Sequence, residues 1–121
     1  MLLRGDYAPL LPALTRMHVD QFVLEYATER AGDVAVVGKA LSGQELGLGV
    51  VNPRTVEVET PEEIVAQVEK ALVYYRPDQL FLNTDCGFGC FANRCVNVEE
   101  IATAKITSIA QAARMLREKY A

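Results

Sequence analysis

Three cysteines, Cys86, Cys90 and Cys95, crowd into one segment of the 121-residue chain. The first closes the run Leu80-Phe81-Leu82-Asn83-Thr84-Asp85-Cys86-Gly87, where an apolar stretch turns polar and glycine-punctuated. A buried parallel strand has this pattern when it delivers its last residues to a rim where ligands collect. A thiolate at such a rim can serve as nucleophile or metal ligand, whereas a cysteine inside the strand is a small apolar filler. Glu25 is the second candidate, because it interrupts the apolar run Phe22-Val23-Leu24. A carboxylate in that setting is costly unless it is paired, protonated or metal-bound. At corresponding ends of two parallel strands, Glu25 and Cys86 would share one rim, and carboxylate and thiolate are both acceptable zinc donors.

Other polar residues carry weaker chemistry. The spacing Cys86-x3-Cys90-x4-Cys95 is not that of a zinc finger, whose paired cysteines sit about two to four residues apart on two knuckles. Cys90 and Cys95 could add thiolates to the rim, pack within the loop or form a redox-sensitive thiol group with Cys86. Asp85 is placed to orient the turn rather than to bind metal. Asn52 and Arg54 follow a strand on the same rim, where they hold a carboxylate or phosphate or are simply solvated. His18 falls at the entry end of a strand, opposite the rim, and reads as a loop histidine.

The elements that must position these groups alternate between strand and helix. Leu2 and Leu3 begin a very short first strand. Leu10, Leu11, Leu14 and Met17 predict a helix over residues 8–17, with Pro9 and Pro12 near its first turn. Residues 21–26 read as a strand, residues 34–41 as a short helix with Asp33 before it, and residues 46–51 as a buried strand. In that last strand Gly47 and Gly49 leave one face open to a closely packed helix or to a ligand. Thr60-Pro61-Glu62-Glu63 is a capping box opening a helix to about residue 75, with Ile64, Val65, Val68, Leu72 and Tyr75 on one face. Asn97 and Glu100 predict a second capping box for a final helix, whose apolar face is Ala102, Ile106, Ile109, Ala113, Leu116 and Tyr120. Strands and helices in alternation imply a parallel sheet joined by right-handed crossovers.

Composition narrows the function classes. Half the residues are apolar and 23% charged, as in a folded globular chain, and residues 1–121 are expected to form a single domain. The net charge of -4, with Lys and Arg scattered, argues against nucleic acid as partner. No run approaches the roughly 18 apolar residues that span a bilayer, and no secretory leader is recognisable, so a cytoplasmic location and no membrane partner are expected. An odd number of cysteines in one loop does not make a secreted disulfide framework.

Several blocks together resemble the catalytic barrel of cobalamin-independent methionine synthase and its zinc-dependent thiol alkyltransferase relatives. Asp85-Cys86-Gly87 resembles the end of the last barrel strand, which presents a zinc-bound cysteine. Phe22-Val23-Leu24-Glu25-Tyr26 resembles the strand carrying a glutamate ligand, and Leu46-Gly47-Leu48-Gly49-Val50-Val51 the strand that follows. Met1-Leu2-Leu3-Arg4-Gly5-Asp6 resembles the family's His-x-Cys-Arg-Gly-Asn, with Met1 and Leu3 standing where the remaining two ligands would be.

The resemblance implies half of a TIM-type (β/α)8 barrel, about four parallel strands alternating with helices. It implies zinc as cofactor, with Glu25 and Cys86 as its ligands in this chain. By the same resemblance the metal lowers the pKa of a thiol such as homocysteine, which then takes a methyl group from a methyl-folate. Two further readings accompany it. One is a non-catalytic half-barrel or scaffold subunit lacking the metal, favoured by Met1 and Leu3. The other is an alkyl transferase to coenzyme M, which the Asn83 to Gly89 run also resembles. A half-barrel exposes two sheet edges and one apolar face, so self-association or a companion chain supplying the rest of the barrel is expected.

Overall fold

The computed structural model of the chain describes residues 5–89 and 97–120. Its centre is a parallel three-stranded sheet in the order β1 (Gln21–Leu24), β2 (Glu45–Val51), β3 (Leu80–Thr84). The register pairs Phe22 with Leu46 and Leu46 with Leu80, so residues in these rows share a face. Leu2 and Leu3, read as a first strand, lie outside the described residues.

Helices cover one face of the sheet. α2 (Ala35–Leu41) crosses from β1 to β2, α3 (Pro61–Ala71) from β2 to β3, and α4 (Glu99–Tyr120) follows β3. Phe22, Leu46, Leu48 and Val50 from the sheet are buried with Val37, Leu41, Ile64, Val68, Ala71, Tyr75 and Ala112. At roughly 1.5–3 kcal/mol for each fully buried large aliphatic side chain, this layer is what holds helices to strands.

Local chemistry explains where the elements start and stop. Thr60 Oγ1 accepts from the Glu63 backbone at 3.1 Å, while Glu63 Oε2 accepts from the Thr60 N–H at 2.9 Å. The expected capping box therefore opens α3, and its apolar face is the one anticipated. Asp33 Oδ1 accepts from the Ala35 N–H at 2.9 Å at the start of α2.

Three expectations need correction. Residues 8–17 form a 3-10 turn, Ala8–Leu10, followed by a short α1, Leu11–Leu14. Pro9 and Pro12 remove two amide donors and prevent one continuous helix. Asn97 does not cap α4 as expected: its amide donates to the Pro53 carbonyl, and its buried Oδ1 finds no acceptor role among the described residues. The buried line of α4 is Lys105, Ser108 and Ala112, leaving Ile106 49% exposed. Apolar spacing alone misplaced that face because a lysine occupies its centre.

The other sheet face is uncovered among the described residues. Val23 is 63% and Phe81 47% exposed, flanking Gly47 in the same row. Beyond β3, whose outer edge pairs with no described strand, runs a groove of about 820 Å³ lined by Leu72, Leu80, Leu82, Ile109 and Leu116.

Candidate functional site

Parallel strands put their carboxyl ends on one rim, and Glu25 and Cys86 lie just beyond two such ends. β1 is shorter than its sequence pattern suggests because the backbone of residues 25–27 is claimed by side chains. The Tyr7 hydroxyl accepts from the Glu25 N–H at 3.0 Å and donates to the Glu25 carbonyl at 3.1 Å. The Tyr7 ring leans on Tyr26 with centroids 5.3 Å apart. Burial raises the pKa of the Tyr7 hydroxyl, which keeps its proton available for donation.

Asp85 fastens the rim from the other side. Its Oδ1 accepts from the Tyr26 and Ala27 N–H groups at 3.1 and 3.0 Å, tying the end of β3 to the end of β1 across β2. Its pKa is raised, chiefly by burial and further by the neighbouring Glu25 carboxylate, while the two amides and Arg54 oppose the shift. The expected orienting role for Asp85 fits these bonds.

β2 makes room for this carboxylate. Gly49 lies beneath it, and Gly47 has the Val23 and Asn83 side chains against it. The open face of the two glycines is thus filled by side chains of the neighbouring strands, and neither a helix nor a ligand is needed to explain it. The pairing of β2 with β3 slips between Gly49 and Val51, so that Val51 rather than Val50 meets Thr84. The bulge sets Val51 to accept from the Asp85 N–H at 2.9 Å. Cys86, half-buried, follows with its carbonyl accepting from the Thr84 hydroxyl at 2.9 Å.

Glu25 meets a cation. Its Oε1 lies 3.5 Å from Arg54 Nη2, with the two side chains 41% and 28% exposed. Arg54 stands in the loop between β2 and α3, and that loop is held from below by Lys105 of α4. The Lys105 ammonium, wholly buried, donates to the carbonyls of Asn52 at 2.8 Å and Glu57 at 2.7 Å and to Glu59 Oε1 at 3.0 Å. Glu59 Oε2 accepts from the Asn52 N–H at 2.7 Å, and Asn52 Oδ1 from the Arg54 N–H at 2.9 Å. Lys105 and Tyr7 were not foreseen from sequence. No apolar spacing marks Lys105, whose buried line on α4 also holds Ser108.

Among the described residues no three His, Cys, Asp or Glu side chains are arranged to hold a metal ion. Zinc requires about four donors, and the Glu25 carboxylate faces a guanidinium, so these residues alone do not fit a closed zinc site. Cys90 and Cys95 lie outside the described residues, as do Met1 and Leu3. His18 is exposed in the link before β1, at the far end of the sheet. Among the described residues no helix is long and apolar enough to cross a membrane.

Known proteins resemble this chain in sequence and fold. The chain is 37% identical over 115 residues to a methionine synthase of Pyrococcus abyssi, covering 95% of this chain and 32% of that protein. It is 34% identical over 117 residues to one of Thermococcus kodakarensis, covering 97% and 33%. The structure of a B12-independent methionine synthase from Shewanella sp. W3-18-1, in complex with selenomethionine, superposes with a TM-score of 0.80 at 21% identity, over 93% of this chain and 31% of that one. The fold is accordingly part of a TIM-type barrel, and the chain spans about a third of the length of these relatives. Residues 4–114 match the catalytic domain of the cobalamin-independent synthases, and the chain belongs to that family.

Proposed function

We propose that the chain is the carboxyl-side part of a methionine-synthase-type transferase, which moves a methyl group from a methyl-folate to a thiol such as homocysteine. The observation that carries this reading is the common rim: Glu25 and Cys86 follow parallel strands, and Asp85 ties the segments bearing them together. In this reading Glu25 and Cys86 would hold a zinc ion together with donors from elsewhere, and the metal would supply the Lewis acidity that activates a thiol. The other donors, and the surfaces for folate and amino acid, come from a companion chain or a second copy that completes the barrel. The sheet face and the outer edge of β3, which no described residues cover or pair with, support such an association.

A second reading, a non-catalytic half-barrel, is favoured by Met1 and Leu3 at two ligand positions. One experiment separates the two. Zinc content and methyl transfer to homocysteine are measured for the chain alone and mixed with a protein supplying the front of the barrel, each with and without Cys86→Ser. Zinc and turnover that need both the mixture and Cys86 support the transferase. Zinc and turnover absent from every mixture leave the scaffold.

A further inference from the structure

The relay Lys105, Glu59, Asn52, Arg54, Glu25 runs unbroken from the middle of α4 to the rim. Each link but the last is a short hydrogen bond. Asn52 and Glu57 are further fixed through carbonyls that accept from the buried Lys105 ammonium. The backbone of Arg54 is thereby anchored in the loop, and its guanidinium lies beside Glu25. Glu25 is anchored equally well, its N–H and carbonyl both bonded to the Tyr7 hydroxyl.

The two side chains thus extend from anchored backbones and meet at 3.5 Å. The charge beside Glu25 is therefore already supplied by the protein. A divalent cation approaching this carboxylate meets a positive charge and must displace it or bind against it.

We infer that Arg54 is the built-in counter-ion of Glu25, and that it keeps this rim from retaining a divalent metal until another chain draws the guanidinium away or adds donors. The inference rests on the transferase reading only in taking Glu25 and Cys86 as the metal-facing pair. It accounts for how a rim with two donors avoids capturing metal wrongly before its remaining donors arrive. It also gives Arg54 a role other than holding a carboxylate or phosphate ligand.

The test is zinc titration of the full chain, reduced and without companion, against a competing chromophoric chelator. Wild type, Arg54→Gln, Arg54→Lys and Arg54→Gln with Cys86→Ser are compared, with thermal melts confirming that each is folded. The expected result is at least about tenfold tighter zinc binding by Arg54→Gln than by wild type. Arg54→Lys, which keeps the charge, should stay near wild type, and Cys86→Ser should remove the gain. Equal or weaker binding by Arg54→Gln, or a gain that Arg54→Lys shares, overturns the inference. If Arg54→Gln binds no tighter but Cys86→Ser still lowers its affinity, the counter-ion role alone falls. A gain indifferent to Cys86 overturns the metal-facing pair itself, and the transferase reading with it.

Discussion

Asp85 Oδ1 passes directly over Gly49, so close that a Cβ built on the glycine would lie 2.2 Å from it. The same Cβ would stand 3.0 Å from the Leu24 carbonyl oxygen and 3.2 Å from Glu25 Cα. The strap joining the outer strands therefore exists only because the middle strand has no side chain at this point. Gly49→Ala should push Asp85 off the Tyr26 and Ala27 amides and cost about 1–3 kcal/mol, as overpacking does. Urea denaturation reads the cost, and an unchanged midpoint would show that the strap is not tight.

Burial holds the Asp85 carboxyl above its ordinary value of 3.8. The folded chain then binds this proton more tightly than the unfolded one. The stability linked to it is fully present below the unfolded value and is lost as pH rises through the folded one. Asp85→Asn keeps an oxygen for the two amides and carries no charge. Wild type should lose stability relative to Asp85→Asn as pH climbs through the acid range, seen in denaturation midpoints taken across it. A gap that stays flat with pH, or closes as pH rises, would contradict this.

Lys105 is wholly buried, and its ion-pair partner Glu59 is mostly so. Removing one member of a buried pair leaves the other uncompensated, at a typical cost of about 3–5 kcal/mol. Lys105→Met should therefore destabilise the chain by about 3 kcal/mol and speed amide exchange in residues 52–59 ahead of the rest. A loss below about 1 kcal/mol would mean that water replaces the ammonium easily.

Phe81 and Val23 present apolar surface on the sheet face that no described element covers. If that face mates with another chain or copy, Phe81→Lys should weaken self-association at least tenfold while leaving the melting temperature of dilute protein nearly unchanged. Sedimentation velocity over a concentration series measures this. Association that Phe81→Lys does not alter would move the contact elsewhere, the β3 edge and its groove being the next place to look.

Much of this was legible in the sequence because local rules decide it. The Thr60 to Glu63 capping box, the apolar face of α3, the alternation of strand with helix, and the placing of Glu25 and Cys86 at strand ends follow from spacing and residue type alone. The chain also carried its family likeness in short blocks around those same residues. What spacing could not decide were partnerships between residues far apart in the chain. Only the fold brings Tyr7 to the Glu25 backbone, Asp85 to the amides of Tyr26 and Ala27, and Lys105 beneath the loop of Asn52 and Arg54. A buried charge leaves no periodic trace, since it is tolerated only where distant carbonyls and a carboxylate converge on it. For that reason the sequence could nominate Glu25, but the tertiary structure alone put Arg54 against it.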